Sequence, residues 1–466
     1  MSGRTTNKVF EAARHLAGDI DVSYRDRMVT AIYARAEAIA SRVVKKNAFG
    51  RFELEQQLDA IVTSRVWGYP LMLALLAFVF WLTLKGANYP STILANLFFA
   101  FQDTLSALFH RLGAPDWLHG IVVLGMYRTL AWVVSVMLPP MAIFFPLFTL
   151  LEDLGYLPRI AFNLDNFFKK AGAHGKQALT MCMGFGCNAA GVVGCRIIDS
   201  PRERLLAILT NNFSPCNGRF PTLITLAGIF MGGFLTTGSG TILAALTVTG
   251  IVGLGIILMF FTSWLLSRTI LKGVPSFFVM ELPPYRPPQV FRVIVRSILD
   301  RTIYVLARAA LVAAPAGALT WVLANVRLGD GAIINHLAAF LQPLGKTVGL
   351  DGYILLAFIL GLPANEIVLP ILLMSYLATG MLTEVDGLAA LGEILVGRGW
   401  TWITALNVML FSLLHWPCGT TLLTIYKETK SWKWPLLAAV IPTVLGLTTC
   451  FLVKFMAGLL GIVPAG

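Results

Sequence analysis

The chain has 466 residues, of which 57% are hydrophobic and 13% charged, and it carries a formal net charge of +12. That composition excludes an ordinary soluble domain and a disordered chain. Several apolar runs exceed the roughly 20 residues that span a bilayer, so the excess of positive charge is read as marking the cytoplasmic side of a membrane, with no nucleic-acid partner expected.

In chain order, residues 1–66 come first. They mix both charge signs and include helix-like stretches such as SYRDRMVTAIYARAEAIASRVVKK. They read as a cytoplasmic helical segment that ends where Trp67-Gly68-Tyr69-Pro70 opens the first span. The aromatic pair suits the headgroup belt, and the proline suits a helix start. Residues 67–120 hold that span, at 67–85, and a stretch at 92–112. The stretch is apolar but interrupted by Gln102, Asp103 and His110, so it is expected to lie along the interface.

Residues 121–266 form a first gate repeat, with spans expected at 121–150, 203–230 and 241–266. Residues 267–300 form a cytoplasmic linker. Residues 301–466 form a second gate repeat, with spans expected at 301–325, 402–426 and 434–460. In each repeat one further apolar segment, 177–195 or 353–378, carries glycine and polar residues at its centre. Lys169, Lys170 and Lys176 precede the first of these; Arg196, Arg202 and Arg204 follow it. With both flanks on the cytoplasmic side, the segment enters and returns on one face, which is permitted where irregular backbone is buried in protein or faces water. Treating both segments as re-entrant hairpins, with the N-terminus inside, puts most of the 36 Lys and Arg on one face. The expected fold is therefore all-α: a polytopic membrane protein with about seven spanning helices and two hairpins in an inverted-topology repeat, its site near the midplane where the halves meet.

The hairpins share a motif. Gly175-x8-Gly184-x3-Asn188 occurs in the first and Gly352-x8-Gly361-x3-Asn365 in the second. Each is followed by an apolar segment with a Pro-Cys step, Pro215-Cys216 and Pro417-Cys418. The alternative is ordinary glycine packing between membrane helices. Gly184 and Gly186 allow unusual backbone angles and close approach beside Cys187 and Asn188. Pro215, Pro221 and Pro417 can free a backbone carbonyl for a ligand, or simply kink a helix. Glu366 is the carboxylate placed deepest in the membrane, where a functional role is the default expectation. A Glu366 paired with the equally deep Arg219 is the alternative. Glu152-Asp153 ends the second span as an ion mouth or a solvated pair. His415 is either an imine ligand or a hydrogen-bonded buried histidine.

Cys187, Cys216 and Cys418, each at a helix break or beside a proline, are expected to line a pathway. Cys182, Cys195 and Cys450 read as buried hydrophobes. None of the six has the spacing of a disulfide framework. Thiols, amide and carbonyl oxygens and a carboxylate together suit borderline first-row divalent metals better than Mg²⁺. The expected metal-contacting set is Cys187, Asn188, Cys216, Asn365, Glu366 and Cys418. Gly184, Gly186, Pro215, Arg219, Pro363, Pro417, Glu152 and Asp153 support the path. Gly172-Ala173-His174-Gly175-Lys176 fails the phosphate-loop pattern, because Gln177 follows the lysine. A transporter is expected, not an enzyme.

The run LLEDLGYLPRIAFNLDNFFKKAG, followed by GFGCNAAGVVGCRIIDSPRERLLAILTNNFSPCNGRFP, is similar to the membrane domain of the FeoB ferrous iron transporters. The family pattern falls on Glu152, Asp153, Gly155, Tyr156 and Arg159, on Gly184 to Asn188, on Arg202 with Glu203 and Arg204 nearby, and on Cys216, Arg219 and Pro221. TALNVMLFSLLHWPC and YKETKSWKW resemble its second gate region. The resemblance implies Fe²⁺ as the transported ion, no permanently bound cofactor, and a multi-pass place in the cytoplasmic (inner) membrane. FeoB proteins ordinarily begin with a GTPase domain, so the resemblance also implies either a separate GTPase partner at the cytoplasmic face or a different mechanism. A homo-oligomer is left open. The competing readings are a transporter of another divalent metal or a nucleoside on the same gate fold, and a membrane scaffold or sensor without transport.

Overall fold

The computed structural model describes residues 22–43, 50–64, 66–232, 238–273, 285, 289–329, 331–383, 385 and 387–461. Residues 1–21, 44–49 and 65 of the expected cytoplasmic segment and residues 274–284 and 286–288 of the 267–300 linker lie outside them. The chain divides into two units, Met1–Leu58 and Asp59–Gly466.

Helix α1 (Val22–Val43) belongs to the first unit. It is rich in alanine and charged residues, which favour helix, and it leaves Met28, Ile32 and Ile39 exposed. Helix α2 (Gly50–Val62) follows. Helix α3 runs without interruption from Gly68 to Arg111, through Pro90. This corrects the expected break between a span at 67–85 and an interfacial helix at 92–112. At 1.5 Å per residue, α3 is about 66 Å long and outreaches the bilayer. Membrane helices tolerate an internal proline when neighbours satisfy the freed backbone groups. Gln102, read as a sign of the interface, is buried.

Helix α4 (Asp116–Asp153) packs along α3, with Tyr127 Oη donating to the Phe98 carbonyl at 3.0 Å. Its Gly120–Tyr127 turns are π-helical, and Pro139, Pro140 and Pro146 lie inside it. Each proline removes a helical hydrogen bond and frees the carbonyl four residues earlier. Helix α5 (Tyr156–Lys170) then leads to the first hairpin: α6 (Gln177–Gly186), a break at Cys187, and α7 (Asn188–Gly194). The two limbs pack on each other.

The expected span at 203–230 is divided, which is a second correction. Helix α8 (Pro201–Thr210) starts from Ser200, whose side chain accepts from the Glu203 N–H. A 3₁₀ turn (Asn211–Phe213) and an irregular stretch through Arg219 precede α9 (Phe220–Phe230). Pro215 cannot donate a helical bond, so the chain cannot run straight through. Helix α10 (Gly238–Arg268) completes this half.

The chain then enters its C-terminal half. Helix α11 (Val290–Arg296) passes through a π-helical segment (Ser297–Ile303) into α12 (Tyr304–Asn325). A two-residue pairing of Arg327–Leu328 with Gly331–Ala332 leads to α13 (Ile333–Val348), which the sequence reading did not assign. Helix α13 is amphipathic: it buries Ile334, Ala338 and Val348 and exposes Phe340 and Leu344. The chain then bends by 110° into α14 (Gly352–Leu360), the first limb of the second hairpin. After a break comes a 3₁₀ turn (Asn365–Ile367) and α15 (Val368–Leu377). Helices α16 (Leu388–Gly397), α17 (Trp402–Leu414), α18 (Gly419–Thr429) and α19 (Lys433–Leu459) follow, with His415–Cys418 breaking the path between α17 and α18.

Among the described residues six helices are long and apolar enough to cross a membrane, and the bent pair α13–α14 makes up to seven. The chain is an all-α, multi-pass membrane protein. The α17–α18 path is 78% buried in its apolar window, against 17% for α10 and 22% for α19. The broken segments therefore occupy the centre, and the unbroken helices face lipid.

Candidate functional site

The two hairpins break in the same way. Cys187 is extended at φ −153°, ψ 123°, and Ala364 at φ −155°, ψ 127°. Each precedes its motif asparagine, Asn188 or Asn365. Each hairpin tip also accepts a backbone hydrogen bond from the residue after a Pro-Cys step. Asn217 N–H donates to the Gly186 carbonyl at 3.3 Å, and Gly419 N–H to the Leu362 carbonyl at 2.6 Å. Hairpin tips and Pro-Cys breaks are thus stitched together twice.

Arg219 joins the two breaks. It is fully buried. Its Nη1 donates to the carbonyls of Asn212 (2.8 Å) and Leu413 (2.9 Å). Its Nη2 donates to Asn212 Oδ1 at 3.0 Å and reaches the His415 and Trp416 carbonyls, each at 3.4 Å. The guanidinium consumes carbonyls that the helix breaks would otherwise orphan. The expected alternative of a Glu366–Arg219 pair is not realised: Glu366 makes no ion pair among the described residues.

Asn212 Nδ2 donates to the His415 carbonyl at 2.8 Å, and Asn211 Nδ2 to the Asn188 carbonyl at 3.0 Å. The Asn188 amide lies 3.3 Å from Asn212 Oδ1 at one end. At the other it is 3.2 and 3.1 Å from the Ser214 and Gly184 carbonyls. A Cβ at Gly184 would stand 2.7 Å from Asn211 Oδ1, so this glycine serves close approach and not a left-handed turn. Sequence reasoning passed over Asn211 and Asn212. Two adjacent amides ending an apolar helix were the available signal.

His415 is committed to hydrogen bonding. Its Nδ1 faces the carbonyls of Ser412 (2.8 Å) and Phe411 (3.1 Å), and its Nε2 lies 3.2 Å from Asn365 Oδ1. Asn365 Nδ2 in turn donates to Cys216 Sγ at 3.6 Å. Cys418 Sγ is 3.2 Å from Thr421 Oγ1.

All six residues expected to contact a metal line one small cavity of about 30 Å³: Cys187, Asn188, Cys216, Asn365, Glu366 and Cys418. Gly186 and Pro363 line it too, with Met137, Met141 and Thr420. Its volume suits roughly one water or one ion. The donors stand along its walls, and among the described residues no three His, Cys, Asp or Glu side chains are grouped to chelate. Glu366 also lines a second cavity of about 310 Å³, with Trp132, Thr222 and Leu388. On another side, Met141, Gly186 and Asn217 are shared with a void of about 10 Å³ walled by Phe144, Phe145 and Phe185. Pro215 and Pro417 are buried behind the cavity and do not line it. Glu152 and Asp153 are exposed at the end of α4 and line none of these cavities. Cys182, Cys195 and Cys450 are buried away from it, as expected.

Residues 134–230 match the family model described as "Nucleoside recognition", and residues 248–301 match "Ferrous iron transport protein B C terminus". The chain is 30% identical over 413 residues to a Staphylococcus aureus protein named Fe(2+) transporter FeoB, covering 86% of this chain and 58% of that one. A protein of the same name from Methanocaldococcus jannaschii is 27% identical over 92% of this chain and 62% of its own. A Porphyromonas gingivalis protein named Fe(2+) transport protein A/Fe(2+) transporter FeoB fusion protein is 26% identical, over 88% of this chain and 52% of its own. The chain thus spans somewhat over half the length of these curated relatives. No solved structure matches it significantly. A likeness running over 92% of the chain leaves out neither hairpin and neither Pro-Cys break, and by it the chain belongs to the FeoB family.

Proposed function

We propose that this chain conducts Fe²⁺ across the cytoplasmic membrane between two inverted halves. The observation that carries the reading is Glu366, whose side chain lines both the larger cavity and the small thiol-lined one. Fe²⁺ reaches Glu366 from the larger cavity and exchanges water for its carboxylate. It then passes Asn365, Cys216 and Cys418, and leaves by Cys187 and Asn188 toward the Phe144–Phe185 constriction. Thiolate, carbonyl, amide and carboxylate donors favour a borderline divalent ion over Mg²⁺. A thiol releases its proton when it binds the ion, so uptake is pH-dependent. Donors arrayed along a wall, not gathered into a cage, suit an ion that must leave.

The repeated order of elements, the matched breaks at Cys187 and Ala364, and the asymmetry of basic residues support an inverted repeat with an internal N-terminus. Alternating access is then a rocking of one half against the other. A GTPase on a separate chain docks on the cytoplasmic helical segment, where α1 exposes Met28, Ile32 and Ile39. That a relative is named as a fusion of Fe(2+) transport protein A with Fe(2+) transporter FeoB supports a further protein partner.

A second reading, nucleoside transport, is favoured by the description of the model matching residues 134–230. A cavity of about 30 Å³ admits an ion and not a nucleoside, which favours the metal. Purified protein in liposomes tests the choice, with a GTPase partner present and absent. Fe²⁺ influx that Cys187→Ser, Cys216→Ser and Cys418→Ser each lower at least tenfold, while Cys182→Ser and Cys450→Ser leave it intact, supports the path. Unchanged Fe²⁺ influx in all three, or influx of nucleoside alone, overturns it.

A further inference from the structure

One groove shares no lining residue with the thiol cavity. It is an open space of about 710 Å³ between the C-terminal end of α13, the N-terminal end of α17 and the last turns of α19. We propose that this groove binds an anionic phospholipid, its phosphate held by Lys346, Arg398 and Lys454.

Depth in the membrane comes first. Helix α19 spans the bilayer, so its Phe451–Leu459 end lies at the face opposite Lys433. At that same end α13 leaves the membrane direction by a 110° bend, burying one face and exposing Phe340 and Leu344, as an interfacial helix does. Trp402, 44% exposed, stands there in the manner of an interfacial aromatic. The groove is therefore at headgroup level.

Its chemistry divides by height. Lys346, Arg398 and Lys454 line it, and Asp351 is the one acid that does. Asp351 is already engaged: its Oδ1 accepts the Ile354 N–H at 2.6 Å, and its Oδ2 accepts the Tyr376 hydroxyl. Arg398 lines the groove and donates to the Tyr376 carbonyl, which uses one of its five donors. Lys454 gives one of its three donors to the Lys346 carbonyl. Lys346 Nζ has no hydrogen-bond or ion-pair partner among the described residues. Helix α17 also starts here, capped by Thr401, and its N-terminal dipole favours an anion. Phe451, Phe455 and Leu459 line the groove from α19 and are each about half exposed or more, an apolar trough continuous with the lipid-facing side of that span. A soluble anion has no use for such a trough, whereas an acyl chain fills it. Basic pockets between membrane helices hold lipid headgroups for the same electrostatic reason.

The test uses the full chain in nanodiscs of phosphatidylcholine alone or with phosphatidylglycerol, followed by detergent extraction and native mass spectrometry. Wild-type protein is expected to retain phosphatidylglycerol selectively. Lys346→Gln, Arg398→Gln and Lys454→Gln each lower retention about fivefold. Lys427→Gln with Lys433→Gln, at the opposite end of α18–α19, leaves it unchanged. Arg398→Gln risks the fold by freeing the Tyr376 carbonyl, so Lys346→Gln, on an exposed side chain, keeps the test decisive. Equal retention of phosphatidylcholine, unchanged retention in Lys346→Gln and Lys454→Gln, or loss of the lipid to inorganic phosphate alone overturns the proposal.

Discussion

Asn365 Nδ2 donates to Cys216 Sγ across 3.6 Å. The bond ties the tip of the second hairpin to the Pro-Cys break of the first half, 149 residues away. The same amide presents its oxygen to His415 Nε2 at 3.2 Å. One side chain therefore positions a thiol from one half against an imidazole from the other, at the wall of the small cavity.

Asn365→Ala removes that tie without adding bulk. Losing one buried hydrogen bond costs about 1–2 kcal/mol, so the protein still folds, with melting a few degrees lower. Fe²⁺ influx in liposomes is expected to fall by at least tenfold, because Cys216 is no longer held. An Asn365→Ala protein that conducts at the wild-type rate would separate this residue from the path.

Arg219 calls for the opposite outcome. It satisfies carbonyls of Asn212 and Leu413 while fully buried. Arg219→Gln is too short to reach both breaks and leaves acceptors unpaired. The loss is expected to be roughly 3 kcal/mol or more. Arg219→Lys is not a rescue, since an ammonium cannot reproduce a planar fork of donors. Thermal unfolding in detergent checks this: both variants melt well below wild type, whereas Glu366→Gln, which breaks no ion pair, does not.

Glycine 218 tests the position of Glu366. A Cβ there would stand 2.1 Å from Glu366 Oε1. The obstructing atom is the end of a flexible side chain, so Gly218→Ala displaces the carboxylate more readily than it distorts the helix break. Melting within about 1 kcal/mol of wild type is expected, together with a several-fold higher KM for Fe²⁺ influx. A Gly218→Ala variant with an unaltered KM removes Glu366 from the entrance.

Much of this site was legible before any coordinates. Spacing alone paired Asn188 with Asn365, and the structure gives the residues before them, Cys187 and Ala364, nearly the same extended backbone. Prolines placed Cys216 and Cys418 at breaks because a proline deletes the same donor in any context. Two things escaped. The continuity of α3 through Pro90 depends on what its neighbours satisfy, which local sequence does not carry. The clamp by Arg219 on distant carbonyls is tertiary: a buried cation reads as the partner of the nearest deep carboxylate until the orphaned carbonyls of two helix breaks are seen around it. Glu152 and Asp153 are exposed at the end of α4, where a motif at a helix end does not by itself say whether it forms an ion mouth or a solvated pair.

Outside the membrane, Arg159 holds α5 to the end of α2. Its Nε and Nη2 donate to Asp59 Oδ1 (2.7 Å) and Oδ2 (3.2 Å), and its Nη1 to the Gly155 carbonyl at 2.5 Å. Burial alone raises the Asp59 carboxyl, but hydrogen bonds from Arg159 and Tyr285 and the Arg159 charge bring it below its ordinary value. Arg159 is 2% exposed and Asp59 29%, so breaking the pair falls near the lower end for buried ion pairs. Arg159→Ala is expected to lose about 3 kcal/mol, and Asp59→Asn less, because an amide still accepts one bond. Denaturant titration of both variants checks the order.

His174 gives the chain a pH dependence of known sign. The side chain is 4% exposed, and its Nδ1 accepts the Lys176 N–H at 3.0 Å. Burial lowers its proton affinity below the ordinary value of 6.5. Glu203, Asp165 and Asp199 pull the other way, and Lys176 adds to the lowering. The unfolded chain therefore takes up a proton here before the folded one does. The neutral folded state is at no disadvantage above pH 6.5, and stability falls as pH drops below it. A protonated Nδ1 also cannot accept from Lys176, so the turn that leads into the first hairpin loses its bond at the same moment. Wild-type melting is expected to decline between pH 6.5 and 5.5. His174→Asn keeps an acceptor without a titrating ring and should flatten that decline. A His174→Asn curve parallel to wild type over this interval would place the pH dependence elsewhere.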